Sequence, residues 1–234
     1  MKYTYGPVHS RRLGLSLGVN ITPGRVCSFN CIYCEEGTPT QELTLERREY
    51  APTDQVVQEI KSQASKDLDY ITFSGAGEPT LHIDLGTIIS DIKELDIPIA
   101  VLTNSSLLYL AGVREDLKKA DLVVPSLDSI RDQSYQLINR PCPDLPLDLI
   151  LEGFKKFCHE YEGDIWVEIL FVRGINDTLE EVKELASFIN PLPIDGIQLN
   201  TVSRGPTVSG TGPVDMSRLE EFKAYFVHPT KLFD

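Results

Sequence analysis

The chain has 234 residues, of which 41 % are hydrophobic and 24 % charged, a composition that excludes both intrinsic disorder and a disulfide-dense miniature scaffold. Lys and Arg number 22 against 35 Asp and Glu, and the resulting formal charge of −13 argues against a broad nucleic-acid-binding surface. No apolar run approaches the ~18 residues of a membrane span, and no apolar stretch of signal-peptide type follows Met1 to Arg12, so a cytoplasmic protein with no membrane partner is expected.

The first β-rich run is Leu17 to Ile21. After a cysteine-bearing loop comes a helical pattern in Val56, Val57, Ile60 and Ala64, with Thr53 as its candidate cap. A strand at Tyr70 to Ser74 leads to a second helix through Leu85, Ile88, Ile89 and Ile92. Strands follow at Ile99 to Thr103 and Leu122 to Leu127, then a helix over Leu147 to Tyr161 and a strand over Ile165 to Val172. Thr178 to Glu181 reads as a capping box opening onto Val182, Leu185, Ala186 and Ile189. A strand at Ile197 to Val202 and a weaker helix from about Asp215 to Phe226 end the series, with residues 203–214 between them as a loop.

Apolar strands alternating with helices imply an α/β fold with a parallel sheet, either an open doubly wound sheet or an incomplete barrel. Both place ligands at the carboxyl ends of the strands. At this length about 70 % of the unfolded surface can be buried, so the fold needs no metal to hold it together and any metal should be functional.

Five cysteines is an odd number, and three of them crowd into Cys27-Ser-Phe-Asn-Cys31-Ile-Tyr-Cys34. Such spacing suits a reducing compartment and convergence on one soft metal centre. Three thiolates leave one iron of a four-iron cluster open, whereas a structural zinc would need a fourth ligand such as His9 or a distant cysteine. Cys158 sits in a helical apolar pattern and reads as core; Cys142 reads as a loop residue of undetermined role.

The strand ends carry the remaining candidates. Ser74-Gly75-Ala76-Gly77-Glu78-Pro79 is a turn whose backbone can approach a ligand closely. Asn104, Ser126 and Asp128 suit either ligand contact or local capping. Arg140 offers a planar fork for a carboxylate, or a solvated helix end. Glu168 lies inside a strand, where a carboxylate must be paired or hydrogen-bonded. Asn200, Thr201 and Arg204 close the last strand. Arg11 and Arg12 are the densest positive charge, read either as site residues or as solvated surface.

Taken together, these motifs resemble the radical S-adenosylmethionine (radical SAM) enzymes over nearly the whole chain. The resemblance implies a partial (β/α)6 TIM-like barrel formed by residues 1–234 as a single domain, with residues 203–234 completing it as a loop and C-terminal helix. It implies a [4Fe-4S] cluster held by Cys27, Cys31 and Cys34, whose open iron binds S-adenosylmethionine. Reductive cleavage of that cofactor to a 5'-deoxyadenosyl radical would then remove a substrate hydrogen. Cofactor-binding positions implied by the family motifs are Tyr33, Gly75, Gly77, Glu78, Asn104, Ser126, Asp128, Arg140, Glu168 and Asn200, with Glu78 accepting from the cofactor ammonium. An external electron donor of flavodoxin or ferredoxin type is implied as partner.

Ser10-Arg11-Arg12-Leu13-Gly14, Asn139-Arg140-Pro141, Gly174-Ile175-Asn176-Asp177 and Gln198-Leu199-Asn200-Thr201 further resemble the wybutosine-biosynthesis-like branch, although no cysteine precedes Cys27 to supply a second cluster. A tRNA base or nucleoside is the substrate this branch implies. A protein-modifying enzyme or glycyl-radical activase is the alternative, and a non-enzymatic iron-sulfur electron carrier or scaffold is a further one.

Overall fold

In the strand Asp164–Phe171, Ile165, Val167, Ile169 and Phe171 are buried while Trp166, Glu168 and Leu170 are only half-buried, so one face packs under helices and the other faces an interior. The neighbouring parallel strands are buried at nearly every position, as in a sheet covered on both faces. The computed structural model describes residues 2–203 and 205–233.

The chain opens with a hairpin of β1 (Thr4–Ser10) and β2 (Gly14–Val19). Two short strands, β3 (Val26–Cys27) and β4 (Glu42–Leu43), bracket the cysteine loop and pair parallel. There follow α1 (Thr53–Gln63), β5 (Tyr70–Phe73), α2 (Leu85–Ile92), β6 (Ile99–Thr103), α3 (Ala111–Leu117) and β7 (Leu122–Pro125). The second half holds α4 (Asp132–Ile138), α5 (Leu147–Glu160), β8 (Asp164–Phe171), α6 (Leu179–Ile189), β9 (Gly196–Thr201), α7 (Met216–Lys223) and β10 (Thr230–Leu232).

The eight-stranded sheet runs β1-β2-β5-β6-β7-β8-β9-β10, with β1 antiparallel and every other neighbour parallel. Its order follows the chain without reversal. A doubly wound sheet reverses direction at a switch point, so the alternative left open by the sequence resolves to the partial barrel. Ile71, Phe73, Val101, Val123, Val167 and Leu199 on the outward face pack with Ile60, Ile88, Val113, Phe157, Leu185 and Phe222 of the helices. The inner face is plugged at its base by Leu13, Ala100, Leu122 and Val124 and turns polar above, where the Ser16 and Thr72 hydroxyls bond at 2.6 Å.

All six expected strands form, with the first displaced to Gly14–Val19. Five features differ from the sequence reading. Strand β1 was not expected, because Thr4–Ser10 is exposed on most positions and shows no apolar alternation. Helix α3 offers only Val113 and Leu117 as a periodic signal. Residues 203–234 do not end on a helix: α7 is followed by β10, which pairs with β9. Thr53 does not cap α1, since its hydroxyl donates to Asp84 at 2.9 Å instead. Thr178 does cap α6 through Glu181 N, but the Glu181 carboxylate turns away to accept from Ser129 and Ser134, leaving half a capping box.

Candidate active site

The cysteine loop lies over the carboxyl ends of the strands, where the chain leaves β2. Phe29 packs edge-on to Tyr135, and with Leu145, Leu147 and Ile150 it forms an apolar cluster behind Cys27 and Cys31. Backbone bonds from Asn30 N to Asn139 O (2.9 Å), Ile32 N to Ile138 O (2.9 Å) and Cys142 N to Ser28 O (2.9 Å) stitch the loop to the end of α4.

Each of the three thiols meets its own polar donor. Cys27 Sγ accepts from Phe29 N at 3.5 Å and Asn104 Nδ2 at 3.4 Å; Cys31 Sγ accepts from Asn139 Nδ2 at 3.6 Å; Cys34 Sγ accepts from Arg25 Nη2 at 3.5 Å. Such donors favour thiolate over thiol. Burial works the other way, pushing the Cys27 thiol up to about 12 and Cys31 well above its ordinary value. Burial raises the core Cys158 to about 12 in the same way, so what sets the triplet apart is its side-chain donors and not its titration.

Among the described residues no three His, Cys, Asp or Glu side chains are grouped to hold a single metal ion. The thiolates of an iron-sulfur cubane bind separate irons, so this spacing is compatible with a cluster. Cys158 is core, as expected, and Cys142 is half-buried with its backbone, not its thiol, bonded to the cysteine loop.

Tyr33 and Asp128 form one unit. Tyr33 donates to Asp128 Oδ2 at 2.7 Å, Asn139 Nδ2 donates to the same oxygen at 2.8 Å, and Leu170 N donates to Oδ1 at 3.0 Å. Burial pushes the Asp128 carboxyl up to about 6 despite these donors. Glu168 is a second hub: Arg12 Nη1 reaches its Oε1 at 2.6 Å, Asn200 Nδ2 donates to the same oxygen, and Ser126 Oγ donates to Oε2 at 3.2 Å. Because a carboxylate only accepts, the Asn200 amide must turn its Oδ1 away, and that oxygen is buried without a partner.

A cavity of about 240 Å³ is walled by Arg12, Tyr33, Cys34, Glu168 and Asn200, among others. A second, of about 440 Å³, joins Cys34 to Asn20, Gly75 and Ala76. A third, of about 520 Å³, runs from Arg11 and Arg12 past Gly18 and Thr72 to Ser74. Cys34 or Glu35 stands in each wall; of the expected residues, Tyr33, Gly75, Glu168 and Asn200 line these cavities, whereas Asn104, Ser126 and Asp128 line a separate pocket with Tyr33 and Asn139.

Three expectations change. Glu78 is buried and already accepts from Thr80 N, Thr80 Oγ1, Thr103 Oγ1 and Asn104 N, all within 3.0 Å. Its carboxylate ties two strand ends together, leaving the backbone of Gly75 and Ala76 to face the cavity. Arg140 is exposed, and what it contributes is its carbonyl, which accepts from Asn30 N at 3.1 Å; the buried neighbour Asn139 takes the site role. Arg12 is not mere surface charge but sits in the turn of the hairpin, bonded to Glu168 and stacked on Phe233. Arg204 lies outside the described residues.

Replacing Glu78 by Gln is accordingly expected to lower stability by about 2–3 kcal/mol, from weakened charge-assisted bonds. The melting temperature should fall by roughly 4–12 °C. Affinity for S-adenosylmethionine should change little. Calorimetry beside a cofactor titration checks this, and intact stability with lost affinity would restore the direct contact.

A family model described as the Radical SAM superfamily matches residues 21–189. A protein named GTPase Obg from Brachyspira hyodysenteriae is 38 % identical over 228 residues, which is 96 % of this chain and 33 % of that one. This chain contains no Gly-x-x-x-x-Gly-Lys-Ser/Thr loop of the kind that cradles nucleotide phosphates in a GTPase. The UPF0026 protein of Methanocaldococcus jannaschii is 37 % identical over 230 residues, covering 97 % of this chain and 71 % of its own. A GTP 3',8-cyclase of Limosilactobacillus fermentum is 28 % identical over 220 residues, covering 89 % and 58 %. The chain therefore spans about a third of the first of these relatives.

Solved structures with the same fold include a radical SAM methyltransferase from Sphaerobacter thermophilus, with TM-score 0.72, 17 % identity, and coverage of 93 % of this chain and 65 % of that one. Streptococcus suis SuiB bound to S-adenosylmethionine gives 0.68, 18 %, 93 % and 50 %. TYW1 with a lysine-pyruvate adduct bound gives 0.64, 18 %, 90 % and 72 %. At these identities the likeness shows the fold alone.

Proposed function

Because the chain belongs to the radical SAM superfamily and to the UPF0026 proteins, we propose that its cysteine loop holds a [4Fe-4S] cluster on Cys27, Cys31 and Cys34 and its strand ends hold S-adenosylmethionine beside it, to abstract hydrogen from a nucleoside-type substrate. The observation that carries this reading is the set of three clustered thiols, each with a separate polar donor: Asn104, Asn139 and Arg25. When bound, cluster and cofactor supply a one-electron cleavage that yields a hydrogen-abstracting radical, with the electron coming from an external donor.

The chain's own residues bind and orient. Gly75 and Ala76 present backbone to the cavity beside Cys34, suited to an ammonium or amino group. Asp128 fixes the Tyr33 ring and the Asn139 amide. Glu168 holds the Arg12 guanidinium at the wall of the 240 Å³ cavity, where its remaining N–H groups meet whatever enters, and fixes the Asn200 amide beside it. Ser126 anchors Glu168 from the next strand.

A nucleoside or nucleotide is favoured as substrate over folded tRNA. The cavity of about 520 Å³ is on the scale of a small molecule, and it carries Arg11 and Arg12 at its rim on a chain of net charge −13. The GTP 3',8-cyclase relative is named for a nucleotide substrate, and the wybutosine-like motifs agree with a nucleobase.

The test uses anaerobically reconstituted protein with dithionite. It should slowly release 5'-deoxyadenosine from S-adenosylmethionine, and GTP should raise the rate at least about tenfold (~1.4 kcal/mol in the barrier). Bulk tRNA should bind no tighter than ~10 μM at physiological salt, the non-specific range. Absence of any 5'-deoxyadenosine overturns the chemistry. Sub-micromolar, steeply salt-dependent tRNA binding that Arg11→Ala with Arg12→Ala weakens overturns the small-substrate reading, and stimulation by a peptide alone favours the protein-modifying alternative.

A further inference from the structure

Arg25 is the least expected residue of the cysteine loop. It adopts φ +59°, in the left-handed region that side chains other than Gly, Asn and Asp rarely occupy, directly after Gly24 at φ +80°. Such a conformation persists only where the surroundings hold it. Here the Arg25 carbonyl accepts from Gln41 N at 3.1 Å, which fixes the base of the loop and turns the side chain inward.

The guanidinium is then buried, at 7 % exposure, and its partners are Thr38 Oγ1 at 2.7 Å and Cys34 Sγ at 3.5 Å. Neither is a carboxylate. Its Nε is buried with no partner at all. An arginine cannot shed its proton, so a buried guanidinium without an anion is a costly arrangement. Arg12 differs: it is neutralised by Glu168 at 2.6 Å. Among the described residues, Arg25 is thus a buried cation with an unpartnered Nε–H and no carboxylate among its partners.

We infer that Arg25 is the charge partner of the metal centre, a positioning residue that favours the reduced state and so sets the centre's reduction potential. This rests on the proposed ligation of a [4Fe-4S] cluster by the triplet. Taking one electron from an external one-electron donor, with no proton, makes the cluster and its thiolates more negative by one charge. A buried cation beside Cys34 stabilises that added charge, and low local polarity strengthens the effect. Net charge and hydrogen bonds to the sulfurs are the terms by which a protein tunes such a centre.

The test is a redox titration of reconstituted protein followed by electron paramagnetic resonance, without S-adenosylmethionine, alongside iron analysis. In Arg25→Gln the iron content should match wild type, while the ratio of reduced to oxidised cluster at a given potential falls at least about tenfold, a midpoint lower by ~59 mV for one electron. Arg25→Lys, which keeps the charge, should recover most of that shift. An unchanged midpoint in Arg25→Gln, or equal shifts in both variants, overturns the inference. If Arg25→Gln fails to retain iron, Thr38→Val loosens the guanidinium without removing it: a measurable fall in the same ratio supports the inference and no fall overturns it. Wild-type protein that binds no iron overturns the cluster reading itself, a separate outcome.

Discussion

Cys31→Ala should abolish the metal centre and, with it, reductive cleavage of S-adenosylmethionine, where wild-type protein holds about four irons. The loop position of Cys31 is fixed by backbone bonds to α4 and by Asn139, whose amide also serves Asp128, so the variant loses a ligand without losing the frame around it. Replacing Cys142 and Cys158 together by Ala is the matched control. Cys158 is buried in α5 among apolar residues, and only the backbone of Cys142 engages the loop, so iron content should not change. Iron retained by Cys31→Ala would refute the ligand assignment, and a drop by about half in the double variant would reveal an auxiliary cluster.

Gly77→Ala should be nearly as damaging, for a reason of packing. A Cβ at Gly77 would lie well inside van der Waals distance of the Val26 carbonyl oxygen and 2.7 Å from Thr22 Oγ1. Val26 is the residue before Cys27, and its carbonyl accepts from Glu78 N at 3.0 Å, so the added methyl pushes directly on the strand that carries the first ligand. Overpacking against backbone should cost ~3 kcal/mol. In a chain of this size that is a melting temperature lower by roughly 6–12 °C, with iron loading impaired in parallel. Gly205→Ala, where nothing lies within 4 Å of the added carbon, should be near neutral. Equal melting temperatures for the two variants would show that the turn and the cysteine loop are not coupled this way.

The parallel strands were legible because each is a short apolar run between helical patterns, and the cysteine triplet was legible because its spacing carries its chemistry. What the sequence hid was orientation. Asn139 and Arg140 are adjacent, and charge draws attention to the arginine, yet the end of α4 sends the amide inward to Cys31 and the arginine into solvent. Glu78 stands in a turn whose motif points to a ligand, but its partners Thr80, Thr103 and Asn104 come together only when β5 and β6 lie side by side. Arg25 reads from the sequence only as one of several arginines near the mouth, since a left-handed conformation cannot be read from a single residue between Gly24 and Val26. Strand β1 escaped for want of an apolar face, and its pairing with β2 is what brings Arg12 to Glu168.

An incomplete barrel leaves two sheet edges unpaired, β1 on one side and β10 on the other. Open edges are templates for chain-to-chain pairing, the route by which β-proteins aggregate. Both are blunted here. Strand β1 carries Pro7, which has no N–H to offer, and its register shifts between Tyr5 and Val8, which breaks the regular row of backbone groups. Strand β10 is three residues long and carries Lys231, whose ammonium lies over the Trp166 ring. The unclosed wall therefore offers little template for pairing between copies, and the net charge of −13 adds colloidal repulsion.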